Sequence, residues 1–452
     1  VAKKRILRFV CSNCGATYPA WIGKCTVCGE WNTLQEETLT SVSGIANSSL
    51  LNGKMLQVQS VDASISRDER RLVSGIADID QVLGGGIVSG SVILLAGQPG
   101  IGKSTILLQL AYALAKTAPI LYISGEESAH QVGLRAKRLG VHHQALQLAT
   151  SNSADDIVAT IAKGTYKLVV VDSIQAVAID SVPTAPGTVS QITNSAQAIM
   201  QAAKQSDAAV ILVGHVTKEG VIAGPKILEH VVDVVLQLEG DRYGGFKVLR
   251  AVKNRFGSTN EVGIFEMFED GLKPVKNPSE SLLAERQVSD GSIVLATLEG
   301  TRPLLVEVQA LVNRTSYGYP KRTCSGFDLN RLNLLVAMLE RRTKLDLVDK
   351  DIYVNIVGGI RITEPAADLA ICMAIGSAAK AMQLKGNAVV FGEVGLSGEI
   401  RHVPFMDKRL AEAKKLGFAS AIGPMQHSGK KLTELQSVSN VRSALNTFLE
   451  KS

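Results

Sequence analysis

One short segment leaves this chain little freedom of fold. Gly97-Gln98-Pro99-Gly100-Ile101-Gly102-Lys103-Ser104 has the spacing G-x4-G-K-S, follows the apolar run Val92–Ala96 and precedes a helical pattern that begins at Thr105. Glycines in such a loop let successive N–H groups turn inward on a phosphate, and the helix start adds the positive end of its dipole. Lys103 would bring charge to the β- and γ-phosphates, and Ser104 an oxygen to Mg²⁺. Residues 97–105, with Ile101 and Thr105 as framework, are therefore the expected ATP/ADP cradle.

The flanking sequence repeats the same alternation. Val92–Ala96, Thr105–Lys116, Ile120–Ser124, Leu168–Val171, Ser190–Lys204 and Ala209–Gly214 read as strands interleaved with helices, which implies βαβ units around a parallel sheet. On the helix, Leu107, Leu110, Ala111 and Leu114 form the apolar stripe that packing on a sheet requires. A magnesium-binding carboxylate is expected at the carboxyl edge of such a sheet, and Leu168-Val169-Val170-Val171-Asp172 ends in Asp172. Ile120–Ser124 likewise leads into Gly125-Glu126-Glu127-Ser128. One glutamate can hold the attacking water, and the other can complement a helix dipole.

A separate module precedes this core. Cys11-x2-Cys14-x10-Cys25-x2-Cys28 provides four thiolates for one closed tetrahedral ion, so one structural Zn²⁺ per chain is expected in preference to buried thiols or an iron–sulfur centre. Gly15 and Gly29 follow the second cysteine of each pair, where a positive φ is common. Trp21 and Trp31 are expected to form the small core around the metal. The pattern predicts a finger at 1–35, a polar linker at 36–70, an ATPase domain at 71–272 and a third domain at 280–452. The last boundary is Lys273-Pro274-Val275-Lys276-Asn277-Pro278-Ser279. In the third domain, Ile293–Leu298, Leu304–Leu311, Asp351–Val357 and Ala388–Glu393 read as strands, and Leu329–Arg342 and Pro365–Gln383 as helices.

Composition narrows the class further. With 46% hydrophobic and 20% charged residues the chain can bury a large core, which excludes wholesale disorder and collagen-like or mucin-like structure. A formal charge of +6 is too small to name a partner. Apolar runs such as Leu369–Gly376 and Ala208–Gly214 fall well short of the ~20 residues that cross a bilayer. The basic start, Val1 to Arg5, leads to Cys11 rather than to an apolar secretory stretch, so a cytoplasmic protein without membrane contact is expected.

Taken together, these motifs resemble one family over essentially the whole length: the bacterial RadA (Sms) family, RecA-like recombination ATPases. The four-cysteine finger carries the resemblance, with Ser74-Gly75-Ile76, Asp80-x-Val82-Leu83-Gly84-Gly85-Gly86, Ser124-Gly125-Glu126-Glu127-Ser128 and Lys253-Asn254-Arg255-Phe256-Gly257. In the C-terminal part Gly392–Arg401 resembles the proteolytic domain of Lon. The implied architecture is α/β: a RecA-like P-loop core with a parallel-rich sheet, an N-terminal four-cysteine zinc finger and a C-terminal α+β Lon-like domain.

The resemblance implies a DNA-dependent ATPase that promotes branch migration in recombination and repair. It would act on single-stranded and branched DNA as a homo-oligomeric, hexameric ring, associated with the nucleoid and partnered by a RecA filament. It assigns Glu126 as catalytic glutamate beside Lys103 and Asp172, His215 as sensor of the γ-phosphate, and Lys253 and Arg255 as cations reaching across a subunit interface. Lys218 and Lys226, in the loop Thr217–Lys226, become candidate DNA contacts, with Pro183–Thr188 as a partner loop.

Lon proteases place a serine nucleophile just after a proline. Here Thr363-Glu364-Pro365-Ala366 has alanine at that place, and the lysine base would fall near Lys408 or Arg409. An ATP-dependent protease is disfavoured on that ground. A RecA-fold ATP-binding oligomer with a signalling role is the other alternative. Arg314, Lys321, Arg322, Arg341, Arg342, Lys344, Lys408, Arg409, Lys414 and Lys415 are candidates for a basic surface.

Overall fold

A computed structural model describes residues 6–12, 16–39, 60, 71–215, 227–240, 245–316, 318–426 and 432–451. Cys14, Gly15, Lys218 and Lys226 lie outside the described residues, as does most of the 36–70 segment. The finger is a small antiparallel sheet in which β1 (Ile6–Cys11) lies between β2 (Thr17–Tyr18) and β3 (Leu34–Leu39). Its core is not the tryptophan pair. Cys11, Cys25 and Leu34 are buried with Phe9, Ala16, Tyr18, Ile22 and Cys28 packed on them, whereas Trp21 and Trp31 are 55% and 67% exposed. A sheet this short closes over its own thiols, and little apolar volume is left to cover an indole.

Contacts divide the chain into two units. The first comprises Val1–Leu238 with Ala251–Ser258 and Glu269–Gly271, and the second Glu239–Arg250, Thr259–Phe268 and Leu272–Ser452. In the first unit β4 (Arg71–Leu72) pairs with β5 (Ile87–Val88) ahead of six parallel strands. These are β6 (Val92–Gly97), β7 (Ile120–Ser124), β8 (Leu146–Thr150), β9 (Leu168–Asp172), β10 (Ala209–His215) and β11 (Val234–Gly240), in the spatial order β11-β6-β10-β9-β7-β8. Strands covered on both faces read as continuous apolar runs, and every residue of β6 and β7 is buried.

One face of this sheet, carrying Leu94, Leu121, Ile123, Val169, Val171, Val210 and Leu212, packs on helices Ala154–Lys163 and Val189–Ser206. Side chains alternate along a strand, so Tyr122, Val170 and Asp172 belong to the opposite face, where helix Lys103–Ala115 packs. Register then aligns the carboxyl ends: Gly97 pairs with His215, and Ser124 with Asp172.

The second unit takes in Phe246–Arg250 of β12 (Phe246–Asn254), which pairs antiparallel with β13 (Val262–Phe268) in register from Phe246–Glu266 to Arg250–Val262. The segment Gly271–Pro274 forms β14. A seven-stranded sheet follows in the order β17-β18-β16-β15-β20-β23-β24, formed by β15 (Ser292–Glu299), β16 (Arg302–Arg314), β17 (Arg322–Ser325), β18 (Lys350–Ile356), β20 (Ala388–Val390), β23 (Ser420–Pro424) and β24 (Leu435–Val438). Two short pairs complete it, β19 (Gln383–Leu384) with β25 (Leu449–Glu450) and β21 (Glu393–Val394) with β22 (Ile400–Arg401). Helices Leu329–Thr343 and Asp368–Lys380 bury their apolar sides in its core. Pro365–Ala367 is a separate 3₁₀ turn rather than the start of the helix expected from Pro365.

Candidate functional site

The site gathers along the carboxyl edge of the parallel sheet. After β6 the chain turns through Gly100 (φ 80°) and Gly102 (φ 116°), conformations that side chains with a Cβ rarely adopt. A Cβ on Gly97 would sit 2.7 Å from the Leu238 carbonyl, so that position has no room for alanine. Helix Lys103–Ala115 starts without a side-chain cap, which leaves its first N–H groups for an anion.

Three acceptors surround the Lys103 ammonium: Gly97 O at 2.8 Å, Gln98 O at 3.0 Å and His215 Nδ1 at 3.2 Å. An ammonium has only donors, so Nδ1 accepts and the imidazole proton sits on Nε2, 3.6 Å from Glu126 Oε1. Residues 103, 126 and 215, far apart in sequence, thus form one polar cluster.

The two glutamates differ in their partners. Both oxygens of Glu127 take hydrogen bonds from Arg135, each at 2.7 Å, which ties this carboxylate to helix Ala129–Arg138. Glu126 instead accepts from the Ser173 hydroxyl, lies near His215 and keeps an exposed face. Asp172 ends β9 and accepts from the Tyr122 hydroxyl at 2.5 Å. Ser104 and Asp172 offer hydroxyl and carboxylate oxygens, the hard donors that Mg²⁺ takes, so the residues present fit that ion. The glycine-lined loop fits a phosphate chain.

Burial pulls the Lys103 pKa down to about 8, against the attraction of Asp172 and Glu126. The unfolded chain holds this proton to about 10.5, so as pH rises from about 8 toward 10.5 the folded state gains stability from this group. Nucleotide binding runs the other way, because phosphate prefers the charged amine. ATP affinity, measured by titration, is expected to weaken by up to about tenfold per pH unit above this pKa. Lys103→Arg, which stays charged, should flatten that profile.

Lys253 and Arg255 lie apart from this cluster, bound within their own chain. Lys253 Nζ donates to the carbonyls of Glu229 (2.7 Å), His230 (3.2 Å) and Val232 (2.7 Å), at the end of helix Ile227–Val231. The Arg255 guanidinium meets Asp233 Oδ1 at 3.1 Å, while the other Asp233 oxygen accepts from the Val92 N–H at the start of β6. Gly257 packs against Gly84, where an added Cβ would approach the Gly84 Cα to 3.0 Å. Asn254 Nδ2 donates to the Val82 carbonyl, and Arg71 donates to the carbonyls of Gly84 and Phe256. Five residues of one motif therefore join the glycine turn before the P-loop to the sheet beside it.

In the finger, the sulfurs of Cys11, Cys25 and Cys28 lie within 4.8 Å of one another, a set that fits zinc. Thr33 Oγ1 is 3.1 Å from the Cys11 sulfur and the Tyr18 hydroxyl 3.2 Å from that of Cys25. Gly29 has φ 76°.

In the second unit Ala366 is buried in its 3₁₀ turn. Arg409, read from sequence as a surface cation, is fully buried: it grips both Glu364 oxygens at 2.8 and 2.7 Å and the Ala296 carbonyl at 2.6 Å. A guanidinium so held is a structural tie and has no basic lone pair to offer.

Sequence reasoning passed over Tyr122, Ser173, Arg135 and Asp233. Only Ser173, next to the strand-terminal acid, carried a local signal. Arg135 pairs locally with Glu127, eight residues earlier, while Tyr122 and Asp233 depend on partners distant in sequence.

Three family models match successive stretches: the rubredoxin metal binding domain over residues 9–36, the AAA domain over 63–221, and subunit ChlI of Mg-chelatase over 334–427. DNA repair protein RadA of Brucella abortus is 48% identical over 94% of this chain and 92% of its own. The RadA proteins of Pseudomonas aeruginosa and Escherichia coli are 44% and 42% identical, with coverage of 97% and 99% of this chain and 98% and 99% of theirs. A crystal structure of the RadB recombinase matches 45% of this chain and 100% of that one at 22% identity, with a TM-score of 0.37, too low to carry an argument. Full-length identity at this level, together with the finger, the P-loop edge and the intact Lys253–Gly257 motif, means that the chain belongs to the RadA family.

Proposed function

We propose that this RadA-family ATPase is DNA-dependent and acts in recombination and repair, with hydrolysis driving branch migration on single-stranded and branched DNA. One observation carries the reading. The aligned carboxyl ends of β6, β7, β9 and β10 bring Lys103, Glu126, Asp172 and His215 to one edge, and in sequence His215 is followed closely by Lys218 and Lys226. A group that faces both the P-loop lysine and the catalytic carboxylate can pass the state of the nucleotide to that stretch of chain.

In this reading ATP is the source of the reacting phosphoryl group, and Mg²⁺ would neutralise the charge on it. Lys103 would leave the Gly97 and Gln98 carbonyls for the phosphates, Glu126 would orient water, and Asp172 and Ser104 would hold the cation. The working form is a hexameric ring on nucleoid DNA alongside a RecA filament. The test is ATP turnover by the full-length chain with and without single-stranded DNA. Stimulation is expected, and an unchanged rate with single-stranded and branched DNA overturns DNA dependence.

Arg255 is the candidate to reach a neighbour's nucleotide. Its side chain is 53% exposed, and among the described residues its ion pair is with Asp233. Arg255→Ala subunits with intact P-loops, mixed with Lys103→Ala subunits that keep Arg255, should regain part of the ATPase activity that each lacks alone. Rings verified as mixed but inactive would count against action in trans. No cleavage of unstructured protein is expected with or without ATP, since position 366 has no hydroxyl. An activity that copurifies with the chain and is lost on Lys408→Ala would contradict this.

A further inference from the structure

The buried Tyr122 has no role in the chemistry set out so far, and its hydroxyl occupies a singular place. It donates to Asp172 Oδ2 at 2.5 Å and lies within reach of the Ser104 side chain. Those two residues are the ones that fit the magnesium ion. The phenol reaches them because Tyr122, Val170 and Asp172 share the sheet face covered by helix Lys103–Ala115, whose first turn carries Ser104.

Hydrogen-bond chemistry gives the chain of groups a direction. A carboxylate only accepts, so the phenolic proton points at Asp172. The phenolic oxygen is then left to accept, and the Ser104 hydroxyl is the donor within reach. A serine that ligates a cation through its lone pairs needs an acceptor for its proton, and an aspartate that presents one oxygen to the metal shell needs a donor on the other. Tyr122 meets both needs with one atom.

We propose that Tyr122 is a positioning residue that presets Ser104 and Asp172 for Mg²⁺, resting on the reading of this edge as a Mg–ATP site. Its contribution lies in the response to the cation. The phosphates are held by the glycine loop, and the tyrosine leaves their contacts alone.

The experiment uses full-length protein and Tyr122→Phe, which keeps the ring and its packing. Binding of a fluorescent ADP is titrated in EDTA and at rising Mg²⁺, and Mn²⁺ binding to the ADP complex is followed by electron paramagnetic resonance. Loss of such an outer-shell partner typically weakens metal affinity by about 10–100-fold. The expected result is a Mg²⁺ midpoint raised by about that factor, a matching loss for Mn²⁺, and unchanged ADP affinity in EDTA.

In an Asp172→Asn background, removing the phenol should shift the midpoint far less, because its acceptor is already altered. A wild-type midpoint in Tyr122→Phe, or equal loss of ADP binding in EDTA, overturns the proposal and makes the tyrosine a packing residue. A wild-type chain that binds no ADP overturns the reading of the site, and the proposal with it.

Discussion

Glu126→Gln is expected to bind ATP as the wild type does and to hydrolyse it about 10²–10⁴-fold more slowly, the range associated with a positioned general base. The amide keeps an oxygen to accept from Ser173, so the loop holds its shape, but a neutral group neither orients nor deprotonates water as a carboxylate does. Glu127→Gln is the control, since that side chain is spent on Arg135, and turnover should fall far less. Lys103→Ala should fail differently: hydrolysis disappears because the charge aimed at the phosphates is gone. Filter binding and phosphate release measured on all three separate the outcomes. Near-normal turnover by Glu126→Gln would move the assignment to Glu127.

Cys25→Ser is expected to release the metal and unfold the finger while leaving ADP binding by the P-loop intact. The finger's buried apolar core comprises Cys11, Cys25 and Leu34 with a few partly buried neighbours, so it cannot hold itself together. Structural zinc binding is coupled to folding of such modules by about 10–16 kcal/mol. Elemental analysis should show one zinc per wild-type chain and none after the substitution. Iron in the wild type, or a folded finger without metal, would contradict the assignment.

How much of this was legible in the sequence depended on the range of the interaction. Ile120–Ser124 reads as a strand residue for residue, because a fully buried strand needs only an apolar run with bounded ends. The helix read at 105–116 forms at 103–115, and the strand ending at Asp172 likewise follows from local pattern. Partners of the site residues do not. Tyr122 looks like any core aromatic until β9 sets Asp172 beside it, and Arg409 looks like a solvated cation until its tie to Glu364 is seen. The tryptophans misled for the opposite reason: indole reads as core, but a module of this size has no interior to receive it.

That last feature makes the finger an optical beacon. The chain has two tryptophans, both in the finger, whereas residues 71–452 contain tyrosine but none. Selective excitation of indole therefore sees the finger alone. Trp31, with the Lys24 ammonium 5.4 Å from its ring centre, should emit at the red end of the indole range and be open to collisional quenchers. A change in that emission when nucleotide is added would be a message delivered from the P-loop to the finger, readable without attaching any dye.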